Sequence, residues 1–398
     1  MAAETKEGNV SSEPLDLEPI LERAFAGEPL TVDEGLRLLA GPPGELPALL
    51  EAAGELRDRA HGRTVTWSRK VFLPITNLCR DRCAYCTFRK SPCDEGAWTM
   101  SPDEIRETCE RGARAGCKEA LMCLGDRPES AYPEHRRTLR SLGVLSTAEY
   151  VELACDLALE AGLLPHTNAG VLERAEMQAL KRNNASMGLM LESAAPRLRE
   201  KGQAHGAAPD KDPARRLRMI REAGELRIPF TTGLLVGIGE SLRERVETLA
   251  VLRELAAKHG HVQEILVQNF RAKPDVPMRD FPEPGAEEMA RTVAVARLML
   301  GASMNLQAPP NLSPDGHRLL LRAGINDWGG LSPVTRDYIN PESPWPHAEA
   351  LARTCEEEGF ELVERLAIYP EFVERPGFLD EELLPRVRRL QDELRRGS

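Results

Sequence analysis

Short apolar runs that alternate with longer stretches of helical periodicity constrain this chain more than any other feature. The runs are VFLPIT (71–76), EALMCL (119–124), LLPHTN (163–168), SMGLMLES (186–193), FTTGLLVG (230–237), VQEILVQNF (262–270) and MNLQAP (304–309), with a weaker eighth at AGINDW (323–328). Each has the length of a buried strand. Strand, helix, strand, repeated this often, calls for parallel strands joined by helical crossovers. The expected fold is therefore α/β, a TIM-type (β/α) barrel that is closed or nearly closed. In such barrels the chemistry sits at the C-terminal ends of the strands.

The flanks read differently. Residues 1–14 carry no periodic apolar pattern and are expected to be a disordered tail. From 15 to 69 the pattern is helical, and Thr31 with Glu34 forms a capping box. The barrel is expected over 70–370, with a charge-rich helical extension at 371–398 against its outside. Further capping boxes, at Ser101 with Glu104 and at Ser146 with Glu149, mark helix starts inside the barrel. The 52 Lys and Arg against 63 Asp and Glu leave a net charge of -11, and no basic run suggests a nucleic-acid partner. The N-terminus is polar and acidic, and no stretch reaches the roughly 18 apolar residues of a membrane helix. A cytoplasmic location without membrane contact is the expectation.

In a reducing compartment nine cysteines are not read as a disulfide framework. Three of them, Cys79, Cys83 and Cys86, crowd the segment ITNLCRDRCAYCTFRK directly after the first strand. Three thiolates can hold three irons of a cubane cluster and leave the fourth open to a small molecule. A zinc site completed by a distant histidine is the alternative, although the histidines form no paired zinc motif. Cys93, in the loop KSPCDEG, is a further candidate ligand at irregular spacing. Cys109, Cys117, Cys123, Cys155 and Cys355 fall in helices, strands or their junctions and read as small buried hydrophobes.

The pattern C-x3-C-x2-C, with Tyr85 before the third cysteine, resembles the signature of the radical S-adenosylmethionine (SAM) superfamily. That resemblance implies one 4Fe-4S cluster on Cys79, Cys83 and Cys86 and a SAM whose methionine chelates the open iron. It also implies reductive cleavage to a 5'-deoxyadenosyl radical. Other strand ends match the same pattern. Gly125 and Asp126, in LGDRPE, stand where the superfamily receives the methionine ammonium. Glu192, in LMLES, matches an acidic position facing ribose or methionine. GLLVGIGE, with Gly233 and Gly237, resembles the element that lies against adenine.

Within the superfamily, CAYCTFRK, LGDRPE, PHTNAGVL, VQNFRAKPDVPM and GINDWGGLSPVTRDYINPESPWP resemble the CofG-type radical subunit of FO synthase, over roughly residues 65 to 370. What the resemblance implies is ring closure of a tyrosine-derived hydroxybenzyl adduct of ribityl-diaminouracil, with loss of ammonia, on the route to coenzyme F420. A sister CofH-type radical enzyme would make the adduct, and flavodoxin or ferredoxin would donate electrons. His166, Asn168, Gln268, Asn269, Asn326 and Asp327 are the polar residues expected at strand ends to meet substrate. A biotin-synthase or hydrogenase-maturation relative is the nearest rival, and a non-catalytic iron-sulfur or zinc protein the most distant one.

Overall fold

The computed structural model describes residues 17–397, so the expected tail at 1–14 lies outside the described residues. The apolar runs do form strands: β1 Thr64–Pro74, β2 Glu119–Cys123, β3 Leu164–Asn168, β4 Ser186–Gly188, β5 Phe230–Val236, β6 Val262–Asn269, β7 Leu306–Gln307 and β8 Asp327–Leu331. All are parallel. β1 pairs with β2 through Lys70 to Pro74 and with β8 through Thr66 to Arg69, which closes the barrel. Helices cross over between consecutive strands, from Pro102–Arg114 after β1 to His317–Arg322 before β8.

Capping follows the sequence at two of the three expected boxes. Thr31 and Ser101 accept from the backbone of Glu34 and Glu104, and each glutamate reaches back to its cap. At Ser146 only the forward half forms, because the Glu149 carboxylate accepts from the Leu145 amide at 2.7 Å instead.

Three boundaries depart from expectation. β1 begins at Thr64, inside the segment assigned to helices, which end at His61. A ninth strand, β9 Glu361–Glu364, runs parallel to the first residues of β1, below β2 on the same edge. Its four residues are exposed or half-buried and charge-rich, so they lack the apolar signature of a strand. The chain after β9 does not lie on the barrel's outside either. Leu366, Ala367, Ile368 and Tyr369 are buried beneath the strands with Phe372, Val373, Leu383 and Val387, and cover the barrel's lower end. A boundary at 370 therefore cuts through this cap.

The helix Ala286–Leu300 carries a fully buried Arg297. Its guanidinium donates to the carbonyls of Gly324 (2.9 Å), Gly301 (3.1 Å), Ala302 (2.9 Å) and Met304 (2.6 Å) and to Asn326 Oδ1 (2.9 Å). It binds the turns that enter β7 and β8. Arg297→Met takes this donor from the four carbonyls, while Asn326 Oδ1 keeps the Leu306 amide at 2.8 Å, at about 1–3 kcal/mol for each group that water cannot reach. Urea unfolding should show a loss of at least about 3 kcal/mol, and a loss under about 1 kcal/mol would show that the turns do not depend on this side chain.

Candidate active site

The cysteine loop leaves β1 at Ile75 and is held from three sides. Arg82 N and Ala84 N donate to the carbonyls of Ala207 (3.0 Å) and Ala204 (2.8 Å), in the long segment between β4 and β5. Ala84 O accepts from Met278 N at 3.1 Å, from the segment after β6. Behind the first cysteine, Arg80 N donates to Asp126 O at 3.1 Å and the Tyr132 hydroxyl to Cys79 O at 3.0 Å. Cys79, Cys83 and Cys86 consequently line one wall of a cavity of about 370 Å3 that runs from the mouth into the barrel. Cys93 is exposed on the same loop and does not line it. Burial pushes the Cys83 thiol up to about 12 and the Cys79 thiol higher still. Any cation seated there must first displace the protons.

The turn after β2 presses against this loop. A Cβ on Gly125 would stand 2.0 Å from the Leu78 carbonyl and 2.6 Å from Cys79 Cβ, so only glycine fits. Asp126 follows, its amide donating to Cys79 Sγ at 3.1 Å. One carboxylate oxygen accepts from Val171 N at 3.1 Å, while no described residue bonds the buried Oδ1. Burial first, then the neighbouring Asp210 and Asp81, raises this carboxyl to about 7. Gly170, at φ +72°, supplies the close approach on its other side, where a Cβ would stand 2.4 Å from the carboxylate.

Glu192 lines the cavity, but both of its oxygens are engaged by protein. Oε2 accepts from the Tyr85 hydroxyl at 2.6 Å and lies 3.0 Å from His205 Nε2, while Oε1 pairs with Lys211. Lys211 and hydrogen bonding from His205 hold the carboxylate well below its usual range against the effect of burial. Glu192 sits at φ +65°, a strained value for a residue with a side chain, and its backbone bridges to β5 through Gly233 O (2.8 Å) and Leu235 N (3.0 Å). Tyr85 and Glu192, expected as contacts to a bound molecule, pair with each other and so tie the cysteine loop to the chain after β4. Sequence reasoning missed His205, Lys211 and the buried Arg216, which lie in or just beyond a segment without periodicity. The only available signal was the basic cluster in DKDPARR.

The glycines of β5 and its exit differ from each other. Thr231 and Leu235 line the cavity, and at Gly233 between them a Cβ would stand 2.2 Å from the Leu266 carbonyl. Gly237 turns away from the cavity at φ +93°, with its amide bound by Glu240 at 3.0 Å. Among the polar candidates, His166, Asn168, Gln268 and Asn269 line the cavity. Asn269 already donates to Leu312 O at 2.9 Å. Asn326 and Asp327 require correction. β8 starts at Asp327, not before it, so both stand at the strand's entry, at the lower end of the barrel. Asn326 bonds Arg297, the Leu306 amide and Asn305, and Asp327 is paired with Arg365.

Residues 73–252 match the Radical SAM superfamily model. The chain is 49% identical over 330 residues to the 7,8-didemethyl-8-hydroxy-5-deazariboflavin synthase of Methanopyrus kandleri, covering 83% of this chain and 98% of that protein. The chain belongs to the 7,8-didemethyl-8-hydroxy-5-deazariboflavin synthase family of radical SAM enzymes. It is also 48% identical over 372 residues to the FO synthase of Nocardia farcinica, covering 90% of this chain but only 43% of that longer protein. The fold resembles the FeFe-hydrogenase maturase HydG from Carboxydothermus hydrogenoformans, with a TM-score of 0.71 at 20% identity, over 95% of this chain and 87% of that one. It also resembles methylornithine synthase, with a TM-score of 0.66 at 20% identity, over 86% and 97%. Among the described residues no helix is long and apolar enough to cross a membrane.

Members of this family work with a 4Fe-4S cluster and SAM, and the site suits both. Three thiols face one cavity, Gly125 leaves no side chain beside the first of them, and the buried Asp126 Oδ1 awaits a donor. Anaerobic reconstitution of Cys79→Ala, Cys83→Ala and Cys86→Ala should each abolish the cluster, while Cys93→Ala keeps it. Iron and sulfide analysis reads the result, and loss in Cys93→Ala equal to the others would establish a four-cysteine site.

Proposed function

We propose that this chain closes the deazaflavin ring. Its substrate is the hydroxybenzyl adduct of 5-amino-6-ribitylaminouracil that a sister radical SAM enzyme makes from tyrosine. Adduct and SAM become the deazaflavin FO, methionine, 5'-deoxyadenosine and ammonium, in coenzyme F420 biosynthesis. The observation that carries this reading is the continuous cavity from the three cysteines to a polar interior, in a chain alike over almost the full length of the Methanopyrus relative. A flavodoxin or ferredoxin would supply the electron.

Each residue then has a task. Cys79, Cys83 and Cys86 would hold three irons of the cluster. When bound, cluster and SAM together supply a 5'-deoxyadenosyl radical. Asp126 would accept the methionine ammonium at its free Oδ1, and the incoming positive charge would reverse the rise in its pKa. Tyr85, Glu192, His205 and Lys211 would fix the loop, so that the thiolates meet the cluster without reorganising it. Gly233 lets β5 lie close against Leu266, between Thr231 and Leu235 of the cavity wall, beside which the adenine would lie. Gly237 would shape the turn beyond it. Asn168, Gln268 and Asn269 line the cavity and would offer the substrate further hydrogen bonds.

The test is product formation by purified, cluster-loaded protein with SAM and a reductant. Given the adduct, it should form the fluorescent deazaflavin with one methionine and one 5'-deoxyadenosine per product. Given tyrosine and the diaminouracil without the sister enzyme, it should form none. Consumption of SAM with the adduct left intact would sink the substrate assignment.

A further inference from the structure

Below the mouth the cavity reaches a layer that barrels of this kind fill with branched apolar side chains. Here the inward positions are Lys70 of β1, Glu119 of β2, His166 of β3, Glu264 of β6 and Gln307 of β7, and Arg365 enters from the segment after β9. A bulge in β6 between Val262 and Glu264 turns Gln263 inward as well. Two cations meet three carboxylates in this layer and directly beneath it. Lys70 Nζ lies 2.8 Å from Glu119 Oε1, and Arg365 lies 2.7 Å from Glu264 and 2.6 Å from Asp327. With its amide nitrogen toward Glu264, Gln307 donates to both carboxylate oxygens, at 2.9 and 3.2 Å. Among the described residues of the layer no cation is left over for a carboxylate or phosphate.

His166 is the exception to this self-sufficiency. Ser186 Oγ gives its only proton to Ala367 O at 2.5 Å and lies 2.6 Å from His166 Nδ1. The proton of that second contact must therefore sit on Nδ1, which leaves Nε2 a bare acceptor. The side chain is 7% exposed and lines the cavity, yet no described residue donates to Nε2. Gly188, on the neighbouring strand, keeps the space open, since a Cβ there would stand 3.1 Å from Nε2. Burial keeps the ring neutral, at about 4, with Glu119, Lys70 and Arg365 facing it from β2, β1 and the lower cap.

We infer that this layer is the subsite for the neutral, donor-rich end of the substrate, a cyclic ureide carrying a polyol chain, one N–H or O–H of which is donated to His166 Nε2. The inference rests on the proposed reaction for the identity of that end. The upper walls suit the other end: Leu121, Leu235 and Phe72, which is stacked on Trp345 at 4.9 Å, offer an apolar slot for a hydroxybenzyl ring. The carbon joining the two ends would then lie between the polar layer and the cysteines.

The probe is 6-(D-ribitylamino)uracil, titrated into cluster-loaded protein by calorimetry. His166→Phe, which keeps a ring but removes the acceptor, should weaken binding at least tenfold. Gly188→Ala, which removes no hydrogen bond, should weaken it as well by crowding Nε2. Both should bind SAM within about twofold of wild type. Nitrogen-15 NMR of histidine-labelled wild type should show a protonated Nδ1 and a bare Nε2 that shifts when the probe is added, a readout independent of whether either variant folds. An unmoved Nε2, or probe binding undiminished in both variants, overturns the subsite. If wild type nevertheless makes the deazaflavin, the reaction stands and only the subsite fails. If it neither binds the probe nor converts the adduct, both fall.

Discussion

One buried guanidinium governs how this barrel is filled. Arg365 donates to Asp327 through two nitrogens, at 2.6 and 2.9 Å, and to Glu264 at 2.7 Å, and it lies over the Tyr369 ring at 4.2 Å. Such a pair contributes little net stability, because desolvation offsets attraction, but leaving one partner alone costs about 3–5 kcal/mol. The arginine, β6 and β8 are therefore bound to one another. The chain that follows is fixed as a result. Ser186 and Gln263 donate to Ala367 O at 2.5 and 3.2 Å, and Tyr369 N donates to Gln263 Oε1 at 3.3 Å. The lower end of the barrel is covered by backbone whose polar groups are met from inside.

With the lower end covered, ligands enter where the cysteine loop lies, and the strands set the depth at which each group meets them. Close backbone approach does the positioning there. Gly125 lets the turn after β2 sit against Leu78 and Cys79, and Asp126 is thereby brought to the first thiol. Glu192 reaches the same loop from the far side through Tyr85. The two sides of the mouth are thus coupled through the loop, while the charged layer beneath pairs its cations internally. A radical enzyme needs this separation of tasks, because the protein must orient a substrate bond and exclude side reactions while the cofactor supplies the chemistry.

The sequence was informative wherever local pattern and tertiary role coincide. The strands ending at Cys123, Asn168 and Asn269 match their apolar runs to within one residue, so the residues at and beyond those ends could be placed at the mouth. AGINDW misled because its apolar character belongs to the turn before β8, where Gly324 stands at φ +94°, and the strand begins only at Asp327. Asn326 and Asp327 were accordingly assigned to the wrong end. ELVE in β9 hides its strand behind charged residues, since only one edge of it meets β1. His205, Lys211 and Arg365 were missed for a different reason. Each is a single polar residue in an aperiodic segment, and its role depends on partners more than a dozen residues away.

The central claim is that the fold delivers three thiolates to one cavity and leaves the fourth ligand of the cluster to a small molecule. Mössbauer spectroscopy of iron-57-reconstituted protein, with and without SAM, tests it most directly. One iron in four should differ from the rest, and that iron alone should change its isomer shift when SAM is added. Four equivalent, thiolate-bound irons that ignore SAM would contradict the account.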